Sequence, residues 1–206
     1  MGALGQNSFT AGTMNSASGP ASVAFGGGNQ ASAMGSFAAG ILNKATGGNA
    51  IAMGQSSQAI GEASIALGNS SLALGLNAVA IGQANEANEP GTLALGNTNK
   101  ANSISAIAMG QENIANGPSS VAIGNTNVAN GQSSVAIGHK LITTTQYTVA
   151  LGMLNKVHLP SAPNERLFVL GNGTGETTAL RSDAFTVLKN GKVGVDIDNF
   201  ETTTSN

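Results

Sequence analysis

Large apolar side chains recur along this chain in pairs separated by one small residue. The pairs return every 14 residues, as in Val79-Ala80-Ile81-Gly82, Ile107-Ala108-Met109-Gly110, Val121-Ala122-Ile123-Gly124 and Val149-Ala150-Leu151-Gly152. The closing glycines are Gly12, Gly26, Gly40, Gly54, Gly68, Gly82, Gly96, Gly110, Gly124, Gly138 and Gly152, eleven turns without a slip. A period of this regularity decides the architecture before any single residue does. With each closing glycine numbered 14, positions 11 and 13 carry the large apolar residues. Position 12 between them is Ala in ten of eleven coils, Thr10 being the exception.

Apolar-small-apolar is the period-2 alternation of a β-strand, with the large side chains on one face and a methyl on the other. A second signal lies earlier in the period. Position 5 is Ala in ten of eleven coils, broken by Thr143, and position 7 is Gly in seven, among them Gly61, Gly75, Gly117 and Gly131. Each period is therefore predicted to run strand, two-residue turn, strand, two-residue turn, with glycine supplying backbone freedom at the corners. Stacked coils set successive strands roughly 4.8 Å apart in parallel ladders. The two Ala columns then face each other across a thin interior, and positions 11 and 13 point away from it.

That outward band includes Val23, Phe25, Ile51, Met53, Ile65, Leu67, Val79, Ile81, Leu93, Leu95, Ile107, Met109, Val121, Ile123, Val135 and Ile137. Exposed apolar patches on monomers seldom pass a few hundred Å². Burying such a side chain is worth about 1.5–3 kcal/mol, so two per coil sum to tens of kcal/mol of gross driving force. Positions 4 and 6 of the other strand are mostly polar and cannot cover the band. An obligate oligomer is predicted, its apolar bands meeting on an axis. Side-chain volumes fit a shared core: Phe9 and Phe37 at position 11 go with Ala11 and Ala39 at position 13, and Phe25 goes with Val23.

These SVAIG-type strands at a 14-residue period, with xAxG between them, resemble the YadA-like head of trimeric autotransporter adhesins. The resemblance covers residues 1–152. It implies a left-handed parallel β-roll, three chains around a common axis, and non-catalytic attachment to another cell or matrix surface. The expected partners are further copies of the chain, as a homotrimer, and a cell-surface glycan or a matrix or surface protein. The setting it implies is extracellular, at the cell surface or a fibre tip. The fold class is then all-β: a trimeric parallel β-roll of stacked 14-residue coils followed by a small β-rich domain. The other reading is a structural spacer that holds a separate receptor-binding or chaperone domain at a distance.

The composition narrows this further. Charged residues are 9% and aromatics 3%, and the net charge of −2 lacks the basic face that nucleic acid or an anionic membrane would require. The chain has no cysteine, so neither disulfides nor thiolate metal sites are available. Glycine interrupts every apolar run long before 18 residues, and no membrane span is predicted. Ala3-Leu4-Gly5 already stands in repeat register, which predicts an internal piece of a longer fibre without its own signal or anchor. Between residues 1 and 138 the only charges are Lys44, Lys100, Glu62, Glu86, Glu89 and Glu112. The denser charge beyond, with Pro160 and Pro163, marks a second region, 153–206. There Arg166 to Leu170, Ala184 to Leu188 and Lys192 to Val195 are predicted strands, with a hairpin turn at Asn190-Gly191. The run Phe185 to Val195 resembles segments that follow such rolls in bacterial surface fibres and phage-tail-like fibres. A neck motif, a heptad stalk and membrane-anchor strands, which accompany autotransporter heads, are not seen.

Little in the chain suits catalysis or a cofactor. The four carboxylates of the coils fall at different repeat positions and do not stack into the pair that glycoside hydrolysis requires. His139, expected in a turn, and His158 have no zinc-ligand spacing. Asp196-x-Asp198 suits calcium in spacing but lacks the glycine-aspartate repeat of calcium-binding rolls. On the exposed flank, Ile114, Val128 and Ile142 stack at position 4, and Asn88, Asn102, Asn116 and Asn130 form a ladder at position 6. Ile60, Leu72 and Leu74 make a second apolar cluster. Each cluster reads either as a seam between chains or as a receptor groove. A site must depart from the repeat, and the coil from His139 to Tyr147 does so. Lys140 and Tyr147, with Ile114 and Val128, are the candidate ligand contacts.

Overall fold

The computed structural model describes residues 2–158 and 165–195, and every regular element among them is a β-strand. Each 14-residue period makes one coil with a long strand and a short one. The long strands run from Phe9–Thr13 to Val149–Met153 and occupy positions 11 to 1; the short strands run from Ser16–Ala17 to Ile142–Thr143 at positions 4 and 5. All pair in parallel with the same position of the next coil, as Val79 with Leu93 and Ala80 with Ala94. The chain is a parallel β-solenoid, the roll that the period predicts.

Its interior is made of methyl groups. Ala80, Ala94 and Ala108 on the long strands and Ala73, Ala87 and Ala101 on the short ones are fully buried. Thr143, which breaks the position 5 column, is buried too, and its hydroxyl donates to Ser134 Oγ at 2.8 Å, which satisfies a polar atom in an apolar layer.

The two corners differ, where the sequence predicts equal turns. Two residues link the long strand to the short one, but five lead back. The five-residue corner is closed on itself: Ser22 donates both its N–H (3.2 Å) and its hydroxyl (2.7 Å) to the Gly19 carbonyl, and other coils repeat this at Ser64 and Thr92. Position 9 in this corner and position 2 in the other are left-handed in every coil, mostly without glycine, as at Ala63 (φ 52°) and Lys140 (φ 52°). Glycine is indispensable at position 14 instead. Gly96 has φ 119°, and a Cβ there would stand 2.1 Å from the Gly110 carbonyl oxygen.

The strands after residue 165 continue the long sheet. Arg166–Asn172 pairs in parallel with Val149–Met153, and Asp183–Leu188 and Val193–Val195 follow as antiparallel neighbours. Phe168 and Phe185 meet edge to face there, centroids 6.0 Å apart. The Asp196-x-Asp198 pair lies outside the described residues.

Candidate binding surfaces

The long-strand sheet presents the apolar band. In this single chain Val79, Ile81, Leu93, Leu95, Ile107 and Val121 are half-buried, and Phe25, Met53 and Ile137 are exposed. The register shows a further volume match along the stack: exposed Phe25 pairs with Ala11 on one side and Ala39 on the other.

The short-strand flank carries the second set of columns. Ile114 pairs with Val128 and Val128 with Ile142, and all three are half-buried. Beside them Asn88 donates its amide to Asn102, Asn102 to Asn116 and Asn116 to Asn130 up the stack, at 2.7, 2.8 and 2.8 Å, the ladder that the sequence predicts. Nearer the N-terminus, Leu72, Leu74 and Leu76 form a row across one coil. Ile60 lies beside Leu74 in the preceding coil, and Leu74, Leu76 and Ile60 are exposed.

The structure does not bring Lys140 and Tyr147 together. They occupy the two different corners of one coil, and the C-terminal region engages each separately. Lys140 Nζ pairs with the Glu176 carboxylate, and Lys189 Nζ lies 5.8 Å from the Tyr147 ring centroid. The hydrogen bond from Lys140, reinforced by its charge, holds the Glu176 carboxyl below the usual glutamate range. His139 closes the strand Val135–His139 instead of lying in a turn.

Sequence reasoning missed the most connected polar feature. Asn15, Asn29 and Asn43, and then Asn85, Asn99, Asn113 and Asn127, stand buried at position 3. Asn99 Nδ2 donates to the Leu95 carbonyl at 3.0 Å, the Gly110 carbonyl at 2.7 Å and Asn85 Oδ1 at 3.0 Å. Its Oδ1 accepts from the Asn113 backbone N–H and side-chain amide, both at 3.0 Å. The signal was present as Asn at every fourteenth residue, interrupted by Ser57 and Ser71. The ladder ends at Leu141, whose N–H donates to Asn127 Oδ1 at 3.0 Å.

Against the last coil a buried ion pair fixes the C-terminal strands. Arg166 Nη1 lies 2.8 Å from Asp183 Oδ2, and Asp183 Oδ1 accepts the Lys156 N–H at 2.9 Å. Among the described residues no three His, Asp or Glu side chains gather as metal ligands.

Comparison with known families gives a match over most of the roll. The model described as the YadA head domain repeat, two copies long, matches residues 17–41 and 45–71 and, in overlapping windows, 73–153. No curated protein matches the chain.

Proposed function

This chain belongs to the YadA head repeat family, and from that premise we propose that it is a non-catalytic attachment module that works as a homotrimer at a cell surface or fibre tip. The observation that carries the reading is the apolar band of positions 11 and 13. It runs the length of the long-strand sheet and keeps its side chains half-exposed or exposed in one chain. Three such bands meeting on an axis would bury it, and Phe25 between Ala11 and Ala39 would pack with like residues there. The inner faces of both sheets are filled with alanine, so the remaining short-strand flank is the surface left to meet a ligand.

Attachment is by surface contact, and threefold repetition converts weak contacts into avidity. The ligand is a glycan or a matrix or surface protein. Sedimentation equilibrium tests the assembly: a particle of three chain masses is expected, and a stable monomer overturns it. Attachment of beads carrying the trimer to surfaces coated with glycans or matrix proteins tests the function. Saturable attachment supports the adhesin reading, and uniform silence favours a spacer.

A further inference from the structure

The short-strand flank departs most from its own repeat in the coils between Gln58 and Pro90. Leu72, Leu74 and Leu76 stand at positions 4, 6 and 8 of one coil, where other coils mix polar residues in. Ile60 extends the row downward at position 6, since its N–H bonds to the Ala73 carbonyl as Leu74 N–H bonds to Ala87. Gly61 and Gly75 lie at position 7 between the Ile60–Leu74 column and the Glu62–Leu76 column and put no side chain there. The result is a shallow apolar trough, with Ile60 at 42%, Leu74 at 39% and Leu76 at 48% exposure.

Carboxylates surround this trough. Glu62 is the neighbour of Leu76 in the coil below, linked through the Asn77 N–H to the Glu62 carbonyl at 2.9 Å. Glu89 stands above Gly75 and closes the glycine column, and Glu86 pairs in register with Leu72. These are three of the four carboxylates in the first 138 residues. Glu86 is offset by Lys100 at 3.0 Å, whereas Glu62 and Glu89 are exposed and form no ion pair among the described residues. The nearest other cation in the column, Lys44, is two coils away from Leu72, beyond Gln58. Apolar anchors between uncompensated negative charges select a partner of the opposite pattern.

We propose that this trough is a docking site for a protein segment that presents apolar side chains flanked by lysine or arginine. The proposal rests on the attachment reading and names its site and partner class. The apolar side chains enter beside Leu74 and Leu76, and the cations face Glu62 and Glu89. A neutral glycan would leave both carboxylates without a counter-charge, so the site is one for a cationic polypeptide.

The test uses the whole chain and three synthetic peptides of one length, alternating leucine with lysine, with glutamate or with serine. The lysine peptide is expected to bind, more weakly as salt is raised. Leu74→Ser with Leu76→Ser should weaken it by about tenfold or more, and Glu62→Gln with Glu89→Gln by several fold. Both variants should keep the wild-type melting curve and particle mass. If the leucine-serine variant fails to fold, the charge variant still decides. Equal binding of all three peptides, or lysine-peptide binding indifferent to Glu62→Gln with Glu89→Gln, overturns the proposal. So does a change of particle mass in either variant, which would make the trough a seam between chains. Bead attachment separates the two readings: variants that attach like wild type remove this site alone, and a wild type that attaches nowhere removes the adhesin reading.

Discussion

The side-chain amide of Asn155 closes on the backbone of Ile142. Oδ1 accepts the Ile142 N–H at 2.8 Å, and Nδ2 donates to the Ile142 carbonyl at 2.9 Å. In the nine preceding coils, from Ser16 to Val128, the acceptor for this N–H is the backbone carbonyl at position 3 of the next coil, as Val128 N–H to Leu141. The short-strand sheet stops at Ile142–Thr143, and one side chain supplies the peptide group that the next short strand would have offered. An exposed sheet edge is a template for unwanted pairing, and this amide caps it.

Asn155→Leu should therefore free two backbone groups at a half-buried edge, at a cost of up to about 1–3 kcal/mol for each left unsatisfied. The effect should be local. Hydrogen exchange at the Ile142 amide is expected to speed up markedly, while amides in the coil around Ala94 stay unchanged. Equal protection at Ile142 in the variant would show that the amide is dispensable.

The internal ladder makes a second prediction because it is broken in one place. Asn43 Oδ1 accepts the Ser57 N–H at 3.0 Å, but the hydroxyls of Ser57 and Ser71 reach only the Gly68 and Gly82 carbonyls, at 3.1 Å each. The coils from Ser57 to Asn85 thus lack the amide-to-amide links that tie their neighbours. They should exchange first in the roll. Ser57→Asn with Ser71→Asn should join the two halves and raise the melting temperature by several degrees, at about 1 kcal/mol per added hydrogen bond. Asn99→Ala should do the reverse.

Much of this fold was legible in the chain. Period 14, the two alanine columns and the outward apolar positions follow from spacing alone, because a repeating strand shows its faces in every coil. Arg166, Ala184 and Val193 were readable as strand residues for the same local reasons. The buried asparagines were not, since Asn in a corner reads as a turn residue and its partners lie 11 and 14 residues away. Nor were the engagement of Lys140 by Glu176, 36 residues on, or the parallel pairing of Arg166–Asn172 with the last coil. Those contacts carry no period. They come from the chain leaving the repeat and folding back on its final coil.

The Lys140–Glu176 pair gives a pH-dependent readout. The folded-state pKa of Glu176 is depressed, so its contribution is present above the unfolded value and lost as pH falls through the folded one. The carboxylate is exposed, so the pair should affect stability little and fade in salt. Carbon-detected NMR should find Glu176 titrating below an ordinary glutamate. Lys140→Met should return it to the usual range, and an unchanged titration would mean that the pair does not form in solution.

The apolar band carries the sharpest prediction. Val79 and Ile81 flank Ala80 on one long strand, and both point away from the alanine interior. Within one chain neither is fully enclosed, so a polar replacement there costs the isolated roll little; Gln83, on the same face of the same strand, is already exposed. On a threefold axis the arithmetic changes. Val79→Asp with Ile81→Asp would place six carboxylates in one layer of an apolar core, and burying unpaired charge costs several kcal/mol per group. Such a penalty is comparable to the whole stability of a typical domain. Sedimentation should then find chains that are dissociated or aggregated. Gln83→Asp, at the edge of the same sheet, should keep the assembled mass and serves as the control. A double variant that sediments like wild type and melts at the same temperature would place the band on the outside of the particle, and the proposed axis would have to be abandoned.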